Sequence, residues 1–145
     1  MKRHKSLIRL SKEHHDGLIL AQMIKKGAPQ YKGMPSDSAG KKEYTINFFY
    51  NYLIKHFDDE ENILMKNLQG KDSLLDELFK QMINEHIEIK ILIEKIKSEK
   101  NYENYLDELG YKLESHIRME ERELFERIQN VIDEKILDAL EEKLT

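Results

Sequence analysis

Residues 116–125 read HIRMEERELF, and they place a histidine and a glutamate one helical turn apart in an otherwise apolar helix face. Residues 56–64, HFDDEENIL, repeat the pattern. In an α-helix, residues i and i+4 project from the same face, so each segment offers an imidazole nitrogen and a carboxylate oxygen to one point. This is the geometry of metal ligands. We therefore expect two ligand pairs, which are His56 with Glu60 and His116 with Glu120.

The repetition of the motif carries more weight than either copy. The chain has 19 glutamates in 145 residues. A glutamate therefore follows a given histidine at position +4 about one time in eight, and a Glu-Glu pair follows at +4 and +5 about one time in sixty. Two HxxxEE copies among six histidines are expected in roughly a few sequences per thousand of this composition. The repeat favours a shared function over coincidence.

Composition restricts both the class of protein and the kind of site. A chain of 145 residues with two prolines and regularly spaced aliphatic residues predicts one helical domain spanning 1–145. The net charge is −4 with both signs interleaved, which gives no support to nucleic-acid binding. There is no cysteine, so disulfides, thiolate zinc sites and iron–sulfur clusters are excluded. Any metal must be held by histidines and carboxylates.

No segment of the sequence predicts a membrane partner. The chain has no run of about 18 apolar residues, and its N-terminus lacks the uninterrupted apolar stretch of a signal peptide. We therefore expect a cytoplasmic protein.

Apolar periodicity predicts five helices, with a Gly/Pro-rich loop after the first. Their expected bounds are about 5–26, 41–68, 73–98, 102–130 and 132–144. The other connections are short, and short connections join antiparallel neighbours. The predicted fold is all-α, an antiparallel up-and-down four-helix bundle with a short C-terminal helix.

Four histidines lie near the middle of four successive helices. They are His14, His56, His86 and His116. At about 1.5 Å rise per residue, all four reach one central layer of the bundle. His15 is adjacent to the first of them. The helical wheel favours His14 as the ligand and leaves His15 as the alternative.

Four imidazoles and two carboxylates in one layer point to a buried cation. Burying two acids without compensation is costly, whereas direct coordination of a cation offsets that cost. Mixed histidine and carboxylate donors suit iron, manganese or zinc, and a bridging carboxylate allows a dinuclear centre. Iron is the leading candidate, as two ions, with zinc or manganese as alternatives.

Several other polar residues have simpler interpretations. Glutamates on helices usually lie on solvated faces, and we expect this of Glu61, Glu121 and Glu123. His4 lies among lysines and arginines near the terminus, so we expect it to be solvated. Tyr52 lies one turn before the second-helix histidine, where it packs at the rim of the core or approaches the metal.

The motifs resemble those of the hemerythrin-like, or HHE cation-binding, family. The matching segments follow the family's order and are LSKEHHDGL, HFDDEENIL, NEH and HIRMEERELF. The resemblance implies an up-and-down bundle with a non-heme diiron site, with histidines on all four helices and glutamates of helices two and four bridging the irons. Carried onto this chain, it points to His56, Glu60, His86, His116 and Glu120, plus His14 or His15.

The chain departs from the oxygen-carrying hemerythrins at two points. Those proteins have a second histidine one turn from the helix-three ligand, where this chain has Met82 and Lys90. They also end with a histidine and an aspartate five residues on, where this chain has Glu120 at +4. One nitrogen ligand is therefore missing unless His4, His15 or a tyrosine substitutes. The departures weaken the oxygen-carrier interpretation more than the metal-binding one.

The first functional hypothesis is a diiron protein that binds or senses oxygen, nitric oxide or peroxide, so that its partner is a small diatomic ligand or oxidant. The alternatives are an iron storage, sensing or delivery protein, and a metal-free helical interaction module that dimerises through the terminal helix. No nucleophile motif, phosphate loop or HExxH occurs, which favours a metal-binding protein over an enzyme.

Overall fold

Four long helices and one short one make up the computed structural model, which describes residues 2–144. Of the described residues, 82% are helical and none lies in a strand. A 3₁₀ turn at Lys5–Leu7 leads into α1, Ile8–Met23. The later helices are α2 over residues 38–68, α3 at Ser73–Ser98, α4 over residues 102–131 and α5 at Glu134–Leu144.

Three helix ends differ from expectation, and local backbone geometry or a capping contact accounts for each. Helix α1 ends at Met23, and Gly27 follows with φ +76°, a backbone conformation that glycine adopts without strain. Helix α2 begins at Ser38, three residues before the expected start, because the Asp37 carboxylate accepts a hydrogen bond from the Gly40 N–H at 3.2 Å and caps the helix. Helix α5 begins two residues late because Ile132 is extended.

Both helices that carry HxxxEE contain π-helical turns. These turns lie at Phe49–Leu53 and Glu60–Met65 in α2, and at Glu120–Leu124 in α4. A π turn inserts an extra residue into the helix and often marks a functional site. Two of the three begin at a glutamate that the sequence predicts as a ligand.

Polar contacts show that neighbouring helices run in opposite directions. Between α2 and α3, Tyr50 contacts Glu94 and Glu61 contacts His86, so residue numbers rise along one helix as they fall along the other. The other neighbours show the same reversal. Their contacts are Arg9–Asp59 and Glu13–His56 for α1 with α2, Asp72–Arg127 and Glu88–Lys112 for α3 with α4, and Ser11–Glu121 and Gln22–Glu114 for α1 with α4.

The core consists of two apolar clusters separated by a buried polar layer. One cluster includes Leu10 and Phe125, and the other includes Leu20 and Ile93. Near the junction of the two clusters, each long helix carries one or two buried histidines or glutamates. This His/Glu layer consists of His14, His56, Glu60, His86, His116 and Glu120. Each of the four helices therefore delivers its polar residues to the same depth.

Helices α1 and α4 approach closely at a glycine. A Cβ atom at Gly110 would lie 2.7 Å from the carbonyl oxygen of Ala21. Any larger residue at this position would have to move the backbone of α1.

The N-terminus is tied to α5 through His4, which corrects the expectation that this residue is solvated. His4 Nδ1 accepts a hydrogen bond from the Ser6 N–H at 3.1 Å, and its Nε2 contacts Glu134 at 3.0 Å. Arg9 also donates to the carbonyl oxygen of Leu144. Among residues 2–144, none of the helices combines the length and the apolar character needed to cross a bilayer.

Candidate metal centre

The His/Glu layer contains two overlapping groups of candidate ligands. Within each group, the donor atoms lie within 4.8 Å of one another. The two central glutamates belong to both groups. The groups are His14, His56, Glu60 and Glu120, and Glu60, His86, His116 and Glu120.

In the first group, one oxygen of Glu60 faces two imidazoles, and one oxygen of Glu120 faces one of them. Glu60 Oε2 lies 3.1 Å from His56 Nε2 and 3.5 Å from His14 Nε2. Glu120 Oε1 lies 2.7 Å from His14 Nε2. The group therefore presents two nitrogens and two oxygens to a common space.

The second group uses the remaining oxygen of each carboxylate. Glu60 Oε1 lies 3.1 Å from His86 Nε2. Glu120 Oε2 lies 3.1 Å from His116 Nε2 and 3.6 Å from His86 Nε2. Each central glutamate thus directs one oxygen to each group, which is the arrangement that a bridging carboxylate requires.

These short distances are mostly not hydrogen bonds. Among the described residues, Nε2 of His14, His56 and His116, Oε2 of Glu60 and both carboxylate oxygens of Glu120 have no hydrogen-bond partner. Leaving such buried atoms unpaired costs about 1–3 kcal/mol each. Donors of one six-coordinate ion at about 2.1 Å lie about 3 Å apart, close to the 2.7–3.6 Å seen here. The residues fit the donor set of a metal site.

A second set of carboxylates faces the other nitrogen of each imidazole. The four Nδ1 atoms lie 2.6–2.8 Å from these carboxylates, each of which comes from a neighbouring helix. We call this set the carboxylate ring. Its contacts are Glu13 with His56, Glu61 with His86, Glu85 with His116, and Glu121 with His14. The ring carboxylate of each helix contacts the layer histidine of the next helix, and the ring carboxylate of α4 contacts the histidine of α1. A carboxylate that accepts from Nδ1–H leaves the Nε2 lone pair facing the layer.

The chain places the ring by putting each ring residue next to a layer residue. Glu13 and Glu85 precede histidines of the layer, while Glu61 and Glu121 follow its glutamates. Adjacent helical residues point about 100° apart, so one side chain faces the interior and its neighbour faces the adjacent helix. The expectation that Glu61 and Glu121 are solvated was wrong, although Glu123 is exposed. A Glu-His pair followed by HxxxEE, present in both halves of the chain, was the available signal.

The alternative nitrogen and oxygen ligands lie outside the layer. His15 is exposed, so the structure separates it from His14, which is buried in the layer. Tyr52 is 65% exposed, whereas the six residues of the layer are buried. His4 contacts α5 instead. Among residues 2–144, the structure brings together four imidazoles and two carboxylates, and neither His4 nor His15 supplies the missing nitrogen.

The layer residues shift one another's pKa. Burial lowers the pKa of His86, but contacts with Glu120, Glu60 and the ring outweigh it and raise the pKa to about 11. Burial also lowers the pKa of His116, and attraction to Glu120 raises it to about 9. Burial raises the pKa of the Glu120 carboxyl, yet His116 and the other layer contacts hold it well below its usual value. These shifts favour imidazolium beside carboxylate, and a metal ion bound here would take over the positive charge by displacing protons.

Comparison with known proteins agrees with this geometry. The family model of the hemerythrin HHE cation-binding domain matches residues 6–128. The chain belongs to the hemerythrin HHE cation-binding family. Both groups of candidate ligands in this HHE domain lie within the matched residues. No curated protein and no solved structure matched the chain.

Proposed function

We propose that this HHE domain is a non-heme diiron protein that binds or senses oxygen, nitric oxide or peroxide. The observation that carries the proposal is the pair of ligand groups that share both carboxylates. The proposal includes a single domain over residues 1–145, folded as an antiparallel up-and-down four-helix bundle with a short C-terminal helix. Its partner is a small diatomic ligand or oxidant.

The donor set supports iron as the metal. Each group offers two imidazole nitrogens and two carboxylate oxygens, a mixture that suits iron and also allows manganese or zinc. Two irons would be held by His14 and His56 on one side and by His86 and His116 on the other, with both central glutamates shared. Four protein donors occupy fewer positions than six-coordinate iron has. Iron, when bound, supplies open positions for an exogenous ligand and one-electron redox chemistry.

The protein supplies orientation and a protected environment. The carboxylate ring holds each imidazole with Nε2 toward the layer, so the donors need little rearrangement when an ion binds. The two apolar clusters enclose the layer from both sides along the helix axes. They restrict access to the layer to water and other small molecules that can pass between side chains. These features suit a site that admits small ligands and excludes larger ones.

Metal content and a visible spectrum test the proposal. We expect protein from iron-supplemented cells to contain about two irons per chain by plasma mass spectrometry, with a charge-transfer band that shifts on addition of azide. His116→Ala should lose metal, whereas the matched variant His15→Ala should retain it, because His15 lies outside the layer. Wild-type protein without metal, or a loaded protein whose spectrum ignores azide, oxygen, peroxide and nitric oxide, would contradict the proposal.

A further inference from the structure

The two halves of the His/Glu layer can be compared position by position. Helices α1 and α2 carry Glu13-His14 and the HxxxEE motif that begins at His56. Helices α3 and α4 carry Glu85-His86 and the motif that begins at His116. Residues at the same offsets from these motifs therefore occupy corresponding places beside the two halves of the site.

In the second half, an ion pair covers the ring contact between Glu85 and His116. Lys112, four residues before His116, contacts Glu88, three residues after Glu85, at 2.5 Å. Gln81 also donates a hydrogen bond to Glu85 at 3.0 Å, and 12% of the Glu85 side chain is exposed.

In the first half, the corresponding residues are Tyr52 and Asp16, which form no ion pair with each other. A cavity of about 60 Å³ lies there instead. Its lining residues are Glu13, Asp16, Phe48, Tyr52, Leu53 and His56. The side chain of the ring residue Glu13 is 38% exposed, about three times the exposure of its counterpart Glu85.

The helix that forms one wall of the cavity also differs between the halves. The π turn at Phe49–Leu53 lies in this wall, whereas the corresponding residues 109–113 of α4 are α-helical. The cavity therefore coincides with a change in backbone geometry and with the loss of the covering ion pair. It ends at the ring contact between Glu13 and His56, whose Nε2 faces the layer.

We infer that this cavity is the route by which a divalent metal ion reaches the His/Glu layer. The inference rests on the proposed function, because it assumes that the layer holds metal. Carboxylates of Glu13 and Asp16 are the acidic groups in the cavity wall, and carboxylate oxygen is a ligand for divalent cations. The volume corresponds to about two water molecules at roughly 30 Å³ each, so it suits a partly dehydrated ion.

Arg9 lies beside this route, but its charge is shared. Arg9 contacts Glu13 at 2.9 Å and Asp59 at 2.7 Å, so its guanidinium is balanced by carboxylates on two helices. Glu13 binds the arriving ion at the cavity and releases it toward the layer past His56. Glu13 acts in this step as a positioning residue.

A double variant that copies the ion pair of the second half into the first half tests the route, and we call it the closed variant. Asp16→Glu combined with Tyr52→Lys places in the first half the residues that form the ion pair in the second, and both native side chains are exposed. We expect Co²⁺ loading of the metal-free chain, followed by stopped-flow absorbance, to slow about tenfold, since a lysine at the mouth repels the cation. The final cobalt content and spectrum should equal those of the wild type. Ile91→Lys adds the same charge on the exposed face of α3 and should leave the rate unchanged.

The reverse exchange provides a second test. Glu88→Asp combined with Lys112→Tyr, introduced into the closed variant, removes the covering ion pair from the second half and should restore fast loading.

Complete loading of the closed variant at the wild-type rate would overturn the route alone. Slower azide binding to the loaded closed variant, with unchanged cobalt loading, would also overturn it, because the cavity would then serve the exogenous ligand. Failure of the wild-type chain to take up cobalt would overturn the proposed function and the route together.

Discussion

Both ring nitrogens of each layer histidine face a carboxylate. These two contacts explain why all four buried imidazoles point Nε2 toward the layer. Nε2 faces the central glutamates, while Nδ1 contacts a ring carboxylate at 2.6–2.8 Å. A carboxylate on Nδ1–H determines the tautomer and increases the basicity of the coordinating nitrogen. The ring would therefore contribute to metal affinity, although none of its members belongs to either group of candidate ligands.

Removing the charge of one ring residue should weaken metal binding. We expect Glu121→Gln to lower affinity by about 10–100-fold, because the amide holds Nδ1–H of His14 less strongly than a carboxylate does. Competition with a chelator of known affinity measures the change. Glu123→Gln, two residues on and exposed, is the matched control and should bind as the wild type does. Equal affinities in the two variants would show that the ring is only structural.

At the scale of the helices, close approach limits which residues the chain tolerates. Gly110→Ala should lower the free energy of unfolding by about 1–3 kcal/mol, because its Cβ meets the carbonyl oxygen of Ala21, which no side-chain rotation can move. Urea denaturation measures the change. Gly17→Ala is a matched comparison with a smaller expected cost, since its Cβ meets only the flexible end of Ile117 at 2.8 Å. A larger loss at Gly17 than at Gly110 would contradict this account of the α1–α4 contact.

The start of α3 should make the stability of the chain depend on acid pH. A hydrogen bond from Arg127 and another from the Leu75 N–H hold the pKa of the Asp72 carboxyl below its usual value. A carboxyl whose pKa is lower in the folded chain than in the unfolded chain stabilises the fold above its unfolded pKa, about 3.9. That stabilisation is lost as the pH falls through the folded value.

Asp72→Asn isolates this effect, because asparagine also caps helices but carries no charge. We expect the wild type to be more stable than the variant at neutral pH, and the difference in unfolding free energy to shrink as the pH falls below about 4. Denaturant titrations of both chains at several pH values supply the comparison. A difference that is constant with pH would assign no role to the carboxylate charge.

At the scale of the whole molecule, the polar layer separates two apolar clusters, so occupancy of the layer should affect the stability of both. Without metal, protonated imidazoles must balance the buried carboxylates, and six layer atoms have no hydrogen-bond partner among the described residues. Metal binding satisfies these atoms only in the folded chain. It should therefore stabilise the chain by about 2.7 kcal/mol at a hundredfold excess over Kd.

Thermal unfolding with and without metal tests this coupling. The loaded chain should melt at a higher temperature, and a chelator should reverse the change. His116→Ala should show a smaller increase because one group loses a donor. The same melting temperature for loaded and metal-free wild-type protein would mean that the layer is equally stable without a cation.

The sequence alone was sufficient for the helical class and the family, and it named as candidate ligands all six residues of the His/Glu layer. Helical periodicity and the i, i+4 spacing of HxxxEE are local properties, because side-chain direction along a helix follows from residue number. Local spacing therefore predicted that Glu60 and Glu120 would face the same way as the histidines one turn before them. The family match over residues 6–128 agrees with the resemblance drawn from those same motifs.

Only the tertiary structure decided which residues complete the site. The exclusion of His15 and Tyr52, the carboxylate ring and the open cavity each depend on which helices are neighbours and on how they are rotated. The π turns change that rotation at Glu60 and Glu120, and a regular periodicity does not reveal them. Glu61 is the clearest example, since on its own helix it resembles any solvated glutamate. Its role comes from His86, 25 residues away in the chain and 2.6 Å away in space.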